Sequence, residues 1–349
     1  MRSLGEIVQS LRRRGGRSEE ARAVERALRA RIARPAEQAR STRARIVFDA
    51  EDAGSWTVDI HDGEVLLAHG TRKGADATIR SDAATLADVL AGRRSGVQAF
   101  LEGRLFMRGN IALTLELDDL LHPPAGRYPL SPRARRVQAG EVRTFYLEAG
   151  PEDGPVVVLV HGLGATGASF LPTLFDLARD YRVIAVDLPG FGESDKPLRP
   201  LHAAYFAKWM VSFLDAIGVE RAHFVGNSMG GRVSLEVALR SPERVDRLVL
   251  LAPSLAWRRY RALAGLVRLI RPELALLPLR AEHRLVVGVL RSLFARPERV
   301  PRAALDAAAD EFVRVFHSPR GRIAFFHAAR EIYLEDPHGV RGFWDRLRR

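Results

Sequence analysis

A chain of 349 residues with 47% hydrophobic and 28% charged side chains is long enough for two ordinary domains and too apolar to be disordered. It contains no cysteine, which excludes disulfides and thiolate metal sites. The formal charge of +12 is almost entirely arginine, Lys73, Lys196 and Lys208 being the only lysines; spread along the whole chain, it fits either an arginine-biased composition or attraction to an anionic surface. Residues 1–43 read as a helical N-terminal arm, with Leu4, Ile7, Val8 and Leu11 at helical spacing, a break at Gly15-Gly16, and Val24, Leu28 and Ile32 repeating the pattern. Met1 to Arg34 is too polar for a secretory signal, and no later segment offers an uninterrupted apolar span, so a soluble, cytoplasmic protein is expected.

From Arg45 the apolar period changes to two. Ile46 and Phe48, then Trp56, Val58 and Ile60, alternate with polar positions, and Asp62-Gly63 turns the chain into 64–68, which predicts a β-meander. A fourth strand is expected over 75–80. Ser81-Asp82 caps a helix with Leu86, Val89 and Leu90 on one face, ended by Gly92; a second helix is predicted over 95–102, a strand over 104–108, and a last helix from Asn110 through Leu121. This order, with Ala-Phe-Leu-Glu-Gly-Arg-Leu at 99–105 and Met107-Arg108-Gly109-Asn110 after it, resembles the sterol-carrier-protein-2-like lipid-binding domain, assigned here to 44–122. The resemblance implies a small α+β domain that holds a fatty-acyl or sterol-like ligand between sheet and helices. Taken one at a time, Phe100, Leu105, Phe106 and Met107 read as core.

Four prolines within 123–132 mark residues 123–136 as a linker. Beyond it, strands predicted over 142–147, 156–160, 182–186, 222–225 and 245–251 alternate with helices over 169–178 and 202–217 and a helix after Ser228. Continuous apolar strands separated by helices predict a mostly parallel sheet covered on both faces.

The stretch His223-Phe-Val-Gly226-Asn-Ser228-Met-Gly230-Gly231 runs from an apolar strand through G-x-S-x-G into a helix. A serine on so sharp a turn needs Gly226 and Gly230 so that the backbone can pass close to its neighbours and leave the hydroxyl exposed above a helix N-terminus. A rival motif exists: Gly162-Leu-Gly164-Ala-Thr-Gly167 follows a strand and matches G-x-G-x-x-G, with Asp187 at the end of the next strand, a dinucleotide fingerprint when taken alone. A second reading makes His161-Gly162-Leu163-Gly164 an oxyanion loop, gives Asp187 a structural part, and also uses the turn Asp187-Leu-Pro-Gly190-Phe-Gly192-Glu-Ser194. It accounts for all three motifs, so no cofactor is expected.

Together these three motifs make residues 137–349 resemble the α/β-hydrolase superfamily, with a cap over about 255–340. The implied fold class is α/β: a mostly parallel sheet with a helical cap, incomplete at its C-terminal side, preceded by the smaller lipid-binding-like domain. By that resemblance Ser228 matches the nucleophile, and the backbone N–H groups of Met229 and Leu163 match the oxyanion donors. The family's later acid and histidine have no match. His283, His317, His327 and His338, with Asp306, Asp310, Glu331, Asp336 and Asp345 nearby, all sit in the cap-like segment, and the expectation is of a hydrolase whose terminal strands lie beyond residue 349.

Leu263, Leu266, Val267, Leu269 and Ile270, with 274–277 and 285–290, form apolar cap faces flanked by arginines and read as a lid over the substrate; peripheral membrane contact is left open, and no nucleic-acid partner is expected. The leading expectation is a serine hydrolase acting on an ester or related carbonyl bond of an apolar or lipid-derived substrate. The alternative is a non-catalytic lipid carrier with a degenerate hydrolase domain. The Gly-Asn-Ser-Met-Gly-Gly form also resembles the meta-cleavage-product hydrolases, which break a carbon–carbon bond, whereas haloalkane dehalogenases and epoxide hydrolases are disfavoured because they resemble this fold with an aspartate in place of Ser228.

Overall fold

The computed structural model describes residues 18–33, 37–121, 132–255, 277, 279–340 and 342–348, in two compact units, Met1–Ser131 and Pro132–Arg349. The first predicted helix of the arm, most of the proline-rich linker and the cap leucines between 263 and 276 lie outside the described residues.

In the first unit the period-two pattern becomes a sheet of order β3-β2-β1-β4-β5. Strands β1 (Ala44–Ala50), β2 (Gly54–His61) and β3 (Glu64–His69) form the meander; β4 (Ala77–Ser81) lies parallel to β1, and β5 (Leu105–Gly109) antiparallel to β4. Asp62 and Gly63 both adopt positive φ, 52° and 85°, the mirror-image turn whose twist suits a two-residue hairpin. Asp82 and Ser95 cap the helices Ala83–Leu90 and Gly96–Leu101 by accepting the Thr85 and Gln98 N–H groups. The helix expected from Asn110 through Leu121 is two shorter ones, Ile111–Leu115 and Leu117–Leu120, parted at Glu116. The helix Glu19–Ile32 buries Val24 and Leu28, packs on Ala83–Leu90, and holds the buried Arg31 guanidinium 2.6 Å from Asp118.

The second unit has a sheet of order β11-β10-β8-β9-β7-β6. Its parallel centre, β8 (Val156–Val160), β9 (Arg182–Val186), β10 (Ala222–Asn227) and β11 (Val245–Leu251), is the apolar run read from the sequence. Two antiparallel strands extend it: β7 (Val142–Ala149) and β6 (Arg133–Ala139). Strand β6 corrects the linker's end at 136. Arg135 and Arg136 are exposed, though respectively paired with Glu148 and stacked on Phe145, and only Ala139 is buried, so an edge strand carried by backbone pairing reads as a charged connector. Helices Leu171–Leu177, Ala203–Ala216 and Met229–Arg240 accompany the sheet, with Phe206, Met210, Phe213 and Val233 in its core.

Among the described residues no strand follows β11, and Val249, Leu250 and Leu251 stand 36–47% exposed on this edge. The later described helices are His283–Ser292, Arg302–His317, Pro319–Leu334 and Phe343–Leu347. No helix among the described residues is long and apolar enough to cross a membrane.

Candidate active site

Strand β10 delivers the chain to Ser228 at the carboxyl edge of the parallel strands, where open α/β sheets bind ligands. Ser228 sits at φ 51° and ψ −114°, a sparsely populated region for a residue with a side chain, costing on the order of 1–3 kcal/mol. The surroundings hold it there. Its N–H donates to Leu251 O at 2.9 Å, and its carbonyl accepts the Ser254 N–H at 2.9 Å and the Arg232 N–H at 3.1 Å. The glycines meet a steric requirement: a Cβ on Gly226 would lie 2.5 Å from Gly230 O, one on Gly230 would overlap the Val160 backbone, and one on Gly231 would lie 2.9 Å from Pro253 Cβ.

The loop leaving β8 packs against this turn, since a Cβ on Gly162 would lie 3.3 Å from Ser228 Cβ and 3.1 Å from Asn227 Oδ1. His161 anchors the loop from below. Its fully buried ring places Nδ1 2.8 Å from Gly162 O, and Nε2 accepts the Leu188 N–H at 3.0 Å. A backbone N–H can only donate, so Nδ1 carries the proton. Neither the Leu163 nor the Met229 N–H has an acceptor among the described residues, and Met229 opens the helix Met229–Arg240, where such groups and the helix field favour negative charge. They are the two groups that the sequence resemblance matches to oxyanion donors.

Asp187 organises the neighbouring turn. Its buried carboxylate accepts the Gly167 N–H at 2.6 Å and the Glu193 N–H at 2.8 Å, while Ser194 Oγ donates to Asp187 O at 2.7 Å. The rival dinucleotide reading has no place here: the Gly167 N–H, at the start of the 3₁₀ turn that runs into the helix Leu171–Leu177, is taken by Asp187 and is not free for a phosphate.

Burial holds the His161 pKa down to about 4 and pushes Asp187 up to about 7, against its two N–H donors. Their linkages to stability oppose each other. The His161 contribution is intact above its ordinary 6.5 and is lost as pH falls towards 4; that of Asp187 is intact below about 4 and is lost as pH rises towards 7. Individual titration separates them: ring ¹⁵N NMR should show His161 as the neutral Nδ1–H tautomer at pH 5, and a midpoint near 6.5 would contradict the buried geometry.

Residues 155–324 match the α/β hydrolase fold family and residues 24–122 the SCP-2 sterol transfer family. The chain joins an SCP-2 domain to an α/β-hydrolase domain. It is 33% identical over 131 residues to the carboxylesterase YbfK of Bacillus subtilis (strain 168), covering 37% of this chain and 44% of that protein. It is 32% identical over 183 residues to the magnesium-chelatase 30 kDa subunit of Rhodobacter capsulatus, covering 52% of this chain and 63% of that protein. The chain thus spans less than two thirds of the length of either relative. Among solved structures, a hydrolase from Pseudomonas aeruginosa PA01 is 25% identical, covers 58% of this chain and 74% of its own, and has a TM-score of 0.48.

In the α/β-hydrolase domain, Ser228 Oγ hydrogen-bonds Ser254 Oγ at 3.1 Å. The sequence reading missed Ser254; its signal was its place just beyond β11, at the same carboxyl edge as Ser228. Among the described residues no histidine hydrogen-bonds Ser228 Oγ. His283 instead lies 3.2 Å from Asp310, and His338 3.6 Å from Asp345.

The helices Arg302–His317 and Pro319–Leu334 reach the loop after β8 through aromatic rings. A Cβ on Gly164 would lie 2.8 Å from the Phe312 ring and 3.2 Å from that of Phe325, and a small cavity between them is bordered by Gly164, Ala165, Phe191 and Phe316. Arg314 ties the first of these helices to the Asp187 turn, pairing with Glu193 at 2.7 Å and Glu311 at 2.6 Å.

Behind the elbow, Arg232 is buried, pairs with Glu236 at 2.7 Å and with Glu335, and lies 4.5 Å over the Phe343 ring. Glu236 also receives Arg240 and, at 2.7 and 3.0 Å, Arg346. Burial would raise the Glu236 pKa, but the surrounding guanidinium groups of Arg346, Arg232 and Arg240 hold it down to about 2. The Arg232-Glu236-Arg240 spacing of four was the readable part of this network.

Proposed function

We propose that this chain is a serine hydrolase that cleaves an ester or related carbonyl bond of an apolar, lipid-derived substrate, with Ser228 as nucleophile and the Leu163 and Met229 N–H groups as oxyanion donors. The observation that carries this reading is Ser228 at φ 51°, held on a tight turn beside two N–H groups without acceptors among the described residues. In the reaction Ser228 Oγ forms a bond to the carbonyl carbon, its proton passes to a general base, and the carbonyl electron pair moves to oxygen between the two donors. Collapse expels the alcohol as it takes up a proton, and water then releases the acid from the acyl-serine. Each oxyanion donor is worth about 3 kcal/mol of transition-state stabilisation. Likeness to the carboxylesterase YbfK supports ester chemistry, the Phe312, Phe316 and Phe325 cluster supports an apolar acyl group, and the SCP-2 domain supports a lipid source.

One observation favours a second reading, a non-catalytic lipid carrier: the hydrogen bond made by Ser228 Oγ goes to a hydroxyl, which is no base at neutral pH. A fluorophosphonate probe separates the two. Stoichiometric labelling of the full chain, lost in Ser228→Ala and accompanied by ester hydrolysis that improves with acyl length, is the expected result. A folded sample that takes no label rejects catalysis and leaves the carrier.

A further inference from the structure

The helix His283–Ser292 presents two apolar faces, only one of which is packed against another element among the described residues. Val286, Val287 and Leu290 are half-buried on the side packed against Arg302–His317, and the His283 contact with Asp310, 3.2 Å, fixes that orientation. Leu285, Val289 and Leu293, each four residues apart and so on one stripe, are 70%, 62% and 73% exposed, and Phe294 at the helix end is 45% exposed. A contiguous stripe of this kind, unlike a single exposed leucine, marks a contact surface.

The charge around the stripe identifies what it contacts. Residues 279–302 contain six arginines against two glutamates and no lysine. Arg280, Arg284, Arg291, Arg296 and Arg299 are all exposed, and none faces a carboxylate among the described residues. A nucleic acid would take the guanidinium groups but has no use for a leucine stripe. A protein interface would bury the leucines but would have to supply carboxylates of its own for the guanidinium groups around them. A phospholipid surface with anionic headgroups takes both, because leucine and phenylalanine enter the acyl boundary while arginine stems reach back to the phosphates.

We infer that the segment 283–294 is a membrane-contact element that lays Leu285, Val289, Leu293 and Phe294 into an anionic lipid surface, with the flanking arginines on its phosphates. This surface does not depend on the chemistry at Ser228, so its test is independent of catalysis. Helical spacing puts Arg284 and Arg291 on a different side of the helix from the leucines, as an element lying in the plane of the surface requires.

The test is sedimentation of the full chain with phosphatidylcholine vesicles, with or without phosphatidylglycerol. Binding is expected with phosphatidylglycerol, falling as salt rises, and weak without it. Leu285→Ser with Leu293→Ser should weaken binding at least about tenfold, and Arg284→Gln with Arg291→Gln about fivefold for each arginine removed. All four side chains are exposed, so near-ultraviolet circular dichroism should be unchanged, and Ser228→Ala should bind like the parent. Val289→Trp supplies a second readout: the fluorescence it adds to that of the parent should be quenched by brominated lipid in phosphatidylglycerol vesicles. Absence of binding to those vesicles, binding unaltered in both double variants, no quenching of the fluorescence added by Val289→Trp, or a dimer dissolved by the leucine substitutions would each overturn the proposal.

Discussion

Gly230→Ala is expected to cost the α/β-hydrolase unit about 4 kcal/mol or more, enough to leave little folded protein near physiological temperature. The added Cβ would overlap the Val160 carbonyl and lie 2.6 Å from His161 O, where the helix Met229–Arg240 crosses the end of β8. Overpacking against movable side chains costs typically about 1–3 kcal/mol; here the obstacle is the backbone of a central strand, which cannot yield without breaking its pairing with β9 and β10. Gly288→Ala is the control, since an added Cβ there meets nothing within 4 Å and the exposed helix should gain up to about 1 kcal/mol. Differential scanning calorimetry decides the matter: a parent-like transition for Gly230→Ala would mean that the elbow is not packed as described.

The second large effect is expected at Arg232. Arg232→Met takes away the cation that Glu236 and Glu335 share in the interior, and breaking such a pair from one side costs about 3–5 kcal/mol. Glu236 keeps Arg240 and Arg346, so the loss should fall mainly on Glu335 and on the hold of the Phe343–Leu347 helix against the elbow. Adding Glu335→Gln to Arg232→Met should restore part of the stability by removing a half-buried charge that has lost its nearest guanidinium and keeps Arg346 only at 3.9 Å. Urea unfolding of the parent, the single and the double variants reads this directly, and additive losses would show that the two residues are not coupled.

Local chemistry was legible in the linear chain. Alternation at Ile46, Phe48, Trp56, Val58 and Ile60 marked the meander, Asp62-Gly63 its turn, and Asp82 and Ser95 the helix starts, because side-chain period, positive φ and capping act within a few residues. The elbow was legible for the same reason: the sharp turn at Ser228 and the close approaches at Gly226 and Gly230 restrict which residues can stand there. Strand β6 was not, because its outward arginines conceal a strand made by pairing with β7.

By itself, then, the sequence determined the two domains' element order apart from β6 and the break at Glu116, together with the elbow and the glycine loop beside it. Only the tertiary structure decided which distant residues meet there: Ser254 at the Ser228 hydroxyl, Leu188 at His161, Phe312 and Phe325 over Gly164, and Glu335 at Arg232. The physical reason is separation along the chain. These contacts join residues from 26 to 103 positions apart in the hydrogen-bonded pairs, and nothing in the local pattern of either partner specifies the other until the sheet and cap have packed.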